Sequence, residues 1–203
     1  MKKMILPLLL AAVVNVCEAQ YNPRPTKSRF FNSKHSTFQV KPGDILVYNV
    51  NQNGEMYDLI VTVKNYGDFI NFNYNIPQKK QTGTVNLQSN AVKSGTNYNV
   101  QFASNNMLPD KSSIWLSRLN WRDLASVDKK TSMDFGEGTE TFVREDASTI
   151  KIKYKGKDRI LTGYNIANQN NENKKTFVVL TDEKNPLIVS MTQGGTFTLK
   201  EVR

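Results

Sequence analysis

Side chains able to do chemistry are few in this chain, and their spacing serves catalysis poorly. Its 203 residues include one histidine, His35, and one cysteine, Cys17. His35 stands among Ser33, Lys34 and Ser36 in a stretch without apolar periodicity. A serine nucleophile needs an imidazole held beside it and a carboxylate behind, which an irregular arm does not supply. His35 therefore reads as a solvated side chain. Zinc sites built on several His and Cys ligands are out of reach, which leaves only oxygen-ligand sites for calcium or magnesium. The densest acidic run is Asp134, Glu137, Glu140, Glu145 and Asp146. It lacks the alternating Asp/Asn ligands and terminal Glu of a calcium loop, and Gly136 and Gly138 mark a turn between two strands with its acids toward solvent. Two carboxylates roughly 5–9.5 Å apart would suit a glycosidase, but any acidic surface offers such pairs. Gly194-Gly195 falls between two strand patterns and reads as a hairpin turn rather than a phosphate loop. The expectation is a protein that is not an enzyme, with no catalytic residues, no metal site and no cofactor.

Two sets of residues suit contact better than catalysis. From Thr149 to Lys157 the alternation puts Ile150, Ile152 and Tyr154 on one side and Lys151, Lys153, Lys155 and Lys157 on the other. Such a basic stripe suits an anionic membrane surface, and it equally suits an edge strand kept from sticking by lysine. Nucleic acid is not expected as a partner, because export would carry the chain away from it. Phe72, Tyr74, Trp115 and Trp121 are the aromatics placed to line an apolar groove, and core packing is the competing use of the same residues. One strand also carries an amide-rich face, Asn71, Asn73 and Asn75.

The elements that would position these residues are strands. Leu46, Tyr48 and Val50 alternate, Asn53-Gly54 supplies a primed two-residue turn, and Leu59, Val61 and Val63 return, which together spell a β-hairpin. Phe69 to Ile76 follows with Ile70, Phe72, Tyr74 and Ile76 on one face. Further candidates are 83–88, 97–103, 131–135, 140–144, 149–155, 158–168, 175–181, 187–191 and 196–202, giving about twelve short strands in turn-rich sequence. Helix is expected only at Ser89 to Ser94 and at Ser113 to Ser126, the latter with Trp115 and Trp121 on it. The fold class is all-β: a single strongly curved antiparallel sheet or incomplete barrel with one or two short helices.

The N-terminus reads as an export signal. Lys2 and Lys3 precede an uncharged run from Met4 to Cys17, shorter than the roughly 20 residues that cross a bilayer, with small residues before Gln20. Cleavage near Ala19 lowers the formal charge from +9 to +8 and removes the sole cysteine. Lipidation of Cys17 would favour a small residue before it, where Val16 stands. The expected organisation is a cleavable signal at 1–19, an extended basic arm rich in Pro at 20–42, and one β domain at 43–203.

Lys41-Pro42-Gly43-Asp44-Ile45-Leu46-Val47-Tyr48, Ile114-Trp115-Leu116-Ser117-Arg118, Tyr154-Lys155-Gly156-Lys157 and Asp182-Glu183-Lys184-Asn185-Pro186-Leu187-Ile188 occur in that order. This series resembles a family of exported Gram-negative bacterial proteins of unknown function. The resemblance implies an incomplete barrel similar to the periplasmic lipoprotein carriers and a location in the envelope. It implies no catalytic residue.

Two functions lead from sequence, ahead of a third, a hydrolase resting on its acids alone. One is a non-enzymatic periplasmic protein holding a lipid-like or hydrophobic ligand in the concave face of its sheet. The other is a structural or interaction module that contacts an envelope protein or a glycan through its amide-rich face.

Overall fold

A computed structural model of the chain describes residues 38–99, 102, 105–170 and 172–203. The expected signal segment, Cys17, His35 and the arm as far as residue 37 lie outside the described residues. Among the described residues no helix is long and apolar enough to cross a membrane.

The first hairpin joins β1 (Ile45–Gln52) to β2 (Glu55–Asn65), with Asn53 at φ 53° and Gly54 at φ 82°. Both central residues thus take the positive φ that a type I′ turn requires. Strand β3 (Ile70–Ile76) pairs antiparallel with β2 and then with β4 (Gln81–Leu87). After α1 (Ser89–Ser94) come three short strands, β5 (Asn97–Tyr98), β6 (Asn105–Leu108) and β7 (Lys111–Ser112). Helix α2 (Arg118–Ala125) follows, then β8 (Lys130–Asp134), β9 (Thr139–Tyr154), β10 (Lys157–Asn168), β11 (Thr176–Leu180), β12 (Ile188–Thr192) and β13 (Gly195–Val202).

These strands form one 13-stranded sheet in the order β6-β4-β3-β2-β1-β13-β12-β11-β10-β9-β8-β5-β7. A second pairing bends it back on itself. Glu201 and Val202 of β13 run parallel to Lys153 and Tyr154 of β9, which closes a circuit through β9, β10, β11, β12 and β13. The wing from β1 to β6 stays open. The fold is therefore an all-β, strongly curved sheet that closes only in part, as the alternation implies. Register shifts place an extra residue in β13 at Lys200, opposite Val47 and Tyr48, in β9 at Glu145 and Asp146, opposite Asn165, and in β12 at Val189, opposite Val178 and Val179, and these bulges supply local bends.

The apolar residues collect in two cores. The larger joins the inward residues of β1–β4, such as Leu46, Tyr48, Val61 and Phe72, to Ile152, Leu161, Leu187 and Val202. Phe38 and Val40, at the end of the expected arm, are buried in it. The smaller core packs Leu124 of α2 against Met133, Phe142, Ile166, Phe177 and Ile188. Each fully buried Leu or Phe contributes about 2 kcal/mol from leaving water, so the cores outweigh any single hydrogen bond.

Three expectations need correcting. The stretches 140–144 and 149–155 are one continuous strand, β9, because Glu145–Ser148 is extended rather than turned. The second helix is shorter than 113–126: Ser117 caps it, its side chain accepting from the Asn120 backbone N–H, so Ile114, Trp115 and Leu116 form a buried lead-in. Trp115 is thus off the helix and bridges Leu187 instead. Of the described residues in the stretch 97–103, Asn97 and Tyr98 form strand, and β6 and β7 carry too little alternation to be seen in the sequence.

Candidate functional site

An apolar pocket lies where the β1–β2 and β12–β13 hairpins come together. Cross-strand register builds one wall: Tyr57 opposes Val50, Val50 opposes Phe197, and Phe197 opposes Met191. Residues directly opposite share a face, so the four side chains form one row across β2, β1, β13 and β12. Leu59, Ile76, Phe102 and Ile114 complete the apolar lining, and the space enclosed is about 180 Å³. A Cβ on Gly195 would sit 2.6 Å from the Asn51 carbonyl oxygen, so only glycine lets β13 approach β1 at this rim.

The polar groups of the pocket are mostly engaged. Tyr57 Oη donates to Gln52 Oε1 at 3.0 Å, and Ser113 Oγ donates to the Asn99 carbonyl at 3.1 Å. Gln193 is the exception: its Oε1 is buried without a hydrogen-bond partner. An orphaned acceptor of this kind costs about 1–3 kcal/mol, which a donor entering the pocket would recover.

Phe72, Tyr74, Trp115 and Trp121 are absent from this lining. Phe72, Tyr74 and Trp115 are buried in the larger core, with Phe72 5.7 Å from Trp115 and Tyr74 5.0 Å from Phe102 between ring centroids. They fill the sheet behind the pocket. Trp121 lies on α2, beside the smaller core, and donates from Nε1 to the Leu180 carbonyl at 2.9 Å. The two tryptophans therefore serve different cores. Trp115 is fixed by a buried amide: Asn185 Oδ1 accepts from its indole at 3.3 Å and from Tyr66 Oη at 3.1 Å, while Asn185 Nδ2 donates to the Phe38 carbonyl at 2.9 Å. Burial, with the Asp182 carboxylate nearby, pushes the Tyr66 phenol above its ordinary range, so it remains a donor.

The acidic run turns partly inward rather than wholly to solvent. Lys175 is only 3 % exposed, and its Nζ lies 2.6 Å from Glu140 Oε1 and 2.8 Å from Glu137 Oε2. Asn168 Nδ2 donates to the other Glu140 oxygen at 2.8 Å, and Asp134 Oδ1 accepts from the Gly136 and Gly138 backbone. The Lys175 hydrogen bond, followed by that of Asn168, holds the Glu140 carboxyl below its ordinary value. Burial opposes charge on Lys175, but Glu137 and Glu140 outweigh it and its pKa is raised. Glu137 and Glu140 thus pair with a buried cation. Among the described residues, no group of three or more His, Cys, Asp or Glu is placed to hold a metal ion.

Lys151, Lys153, Lys155 and Lys157 are all exposed around the β9–β10 turn. The strand that carries the first two is bordered by β10 on one side, while on the other β8 pairs with 139–143 and β13 with Lys153 and Tyr154, which leaves 145–152 without a strand partner there among the described residues. Lys151 therefore flanks an open stretch of edge, whereas Lys153 lies where β13 pairs. Its charge is partly offset: Lys151 Nζ pairs with Asp158 Oδ2 at 2.8 Å, and Glu201 stands opposite Lys153.

No family model, curated protein or solved structure matches this chain.

The pocket offers apolar walls and one unpaired acceptor, but no general base and no activated nucleophile. Its lining was partly legible, because Val50, Leu59 and Phe197 fall on inward positions of clear strands. Which end of the sheet stays open depends on hairpin lengths and bulges summed over four strands, and no local pattern states that.

Proposed function

We propose that this chain is a non-enzymatic, exported envelope protein that takes the apolar end of a small amphiphile into the pocket between the β1–β2 and β12–β13 hairpins. The observation that carries the reading is the unpartnered Gln193 Oε1 beside Val50, Phe197 and Met191. An apolar tail would cover the walls while a hydroxyl or amide N–H of the head donates to Gln193. Size limits the occupant. Pockets for drug-sized ligands run about 300–1,000 Å³, and an apolar cavity of about 150 Å³ holds benzene, so 180 Å³ suits about six carbons rather than a whole lipid.

Phe72, Tyr74 and Trp115 are buried in the larger core, which keeps them out of the pocket lining. Export rests on the N-terminal pattern, and the resemblance to exported Gram-negative proteins agrees with it. The exposed lysines at the β9–β10 turn would favour approach to an anionic membrane surface. Native mass spectrometry of the gently purified full chain, with organic extraction of the same sample, tests the reading. A co-purifying amphiphile with a short apolar end supports it. A clean apoprotein that also ignores added short-chain amphiphiles rules it out, and stoichiometric recovery of one envelope protein instead would favour an interaction module.

A further inference from the structure

The outer side of β3 and β4 is a hydrogen-bonding face without charge. Asn71, Asn73 and Asn75 oppose Asn86, Thr84 and Thr82. Two cross-strand bonds fix their orientation: Asn71 Nδ2 donates to Asn86 Oδ1, and Thr84 Oγ1 donates to Asn73 Oδ1. Each amide carries two donor hydrogens and a carbonyl with two lone pairs, so capacity remains for a partner. The ladder repeats at about 4.8 Å across strands and about 6.8 Å along them.

One end of this ladder meets an open cleft of about 330 Å³ lined by Phe69, Asn86, Leu87, Gln88, Ser89 and Asn90. Phe69 is 50 % exposed there, and its carbonyl is held by Asn65 Nδ2 at 2.9 Å. None of the six lining residues is charged, although 22 % of the chain is. An exposed ring beside amides and a hydroxyl presents one apolar face for stacking and several groups for hydrogen bonding. That combination suits a ring with an apolar C–H face and equatorial hydroxyls, and the absence of charge suits a neutral one.

We infer that the Phe69 cleft and the β3–β4 ladder together bind a neutral polysaccharide, with one sugar ring stacked on Phe69 and its neighbours running over Asn71, Asn73 and Asn75. The uncharged lining selects this occupant over an acidic glycan, which would meet the lysines at the β9–β10 turn instead. The site is distinct from the pocket between the hairpins, so the two readings stand or fall separately.

Affinity electrophoresis of the full chain in gels containing dextran, laminarin, hydroxyethyl cellulose or galactomannan tests the inference, with alginate as the anionic comparison. At least one neutral polymer is expected to retard the protein at both low and high salt. Phe69→Ala is expected to weaken that retardation about tenfold and to leave binding of short-chain alkanols intact. Gln88→Ala, at an exposed position, should give a smaller loss and serves if Phe69→Ala fails to fold. Retardation by alginate alone, abolished by salt, would overturn the assignment. So would indifference to all four neutral polymers, or undiminished retardation of folded Phe69→Ala.

Discussion

The Phe197 ring lies flat on Tyr48, with centroids 4.1 Å apart and planes 19° from parallel. Tyr48 is fully buried and its hydroxyl donates to the Ile188 carbonyl at 3.1 Å, so the stack fixes Phe197 as a wall of the pocket. Phe197→Ala should cost about 2 kcal/mol, less than a fully buried Phe because the ring is only half-buried. The urea midpoint measures the loss. The same variant should accept bulkier amphiphiles than the wild type, and an unchanged midpoint would mean that the ring contributes little packing.

Acid sensitivity should centre on the buried cation. The Glu140 carboxyl is lowered by its bond from Lys175, so its contribution is complete above the ordinary carboxylate pKa and disappears as pH falls through the lower folded value. Lys175 is raised against the cost of burial by Glu137 and Glu140, so its contribution is complete below the ordinary amine value and disappears only as pH rises through a still higher one. Between roughly pH 5 and 10 the group is fully effective. Glu140→Gln should lower stability by about 2 kcal/mol at pH 7 and flatten the acid limb of the curve. Urea unfolding from pH 3 to 8 gives the answer, and an acid limb as steep as in the wild type would assign that sensitivity to other carboxylates.

Asn185 ties together parts of the chain that no local signal connects. Replacing it with Ala leaves the Trp115 indole and the Phe38 carbonyl without partners in the core, at a cost of about 2–4 kcal/mol. Thermal unfolding should move down accordingly, with a changed near-ultraviolet signal from Trp115. A loss below 1 kcal/mol would indicate that water replaces the amide.

The strands were legible because each obeys a local rule. Ile70 to Ile76 alternates without a break, and Asn53-Gly54 has the two residues that tolerate positive φ, whereas in Lys155-Gly156 only the glycine does. What joins distant segments was not legible. The parallel contact of Glu201 and Val202 with Lys153 and Tyr154 is set by the accumulated twist of five strands, not by the residues that touch. Nothing beside Lys175 in the sequence indicates that Glu137 and Glu140 reach it across a turn. Trp115 and Trp121 looked like helix partners until Ser117 set the helix start between them. The pocket belongs to the same class of features, being made where two hairpins happen to end together.

The lysine stripe has its own test. Changing Lys151, Lys153, Lys155 and Lys157 to Gln should weaken binding of the full chain to vesicles rich in phosphatidylglycerol, by about 1 kcal/mol per lysine at the surface and less for Lys151, which Asp158 already engages. Co-sedimentation at low salt measures this, and raised salt should erase the difference. Equal sedimentation of both proteins would remove the stripe from any account of membrane approach.

The central claim, that the pocket holds a short apolar end and satisfies Gln193, is tested most directly by titrating the isotopically labelled full chain with straight-chain alkanols of four to ten carbons. Amide and methyl shifts should concentrate at Val50, Met191, Gln193 and Phe197. Affinity should rise about fourfold per added methylene, from about 0.8 kcal/mol each, and level off near six carbons where the 180 Å³ is full. Val50→Phe, which fills the space, should abolish the shifts while the protein stays folded. Shifts scattered over the surface, affinity that keeps rising through ten carbons, or equal binding by folded Val50→Phe would contradict the account.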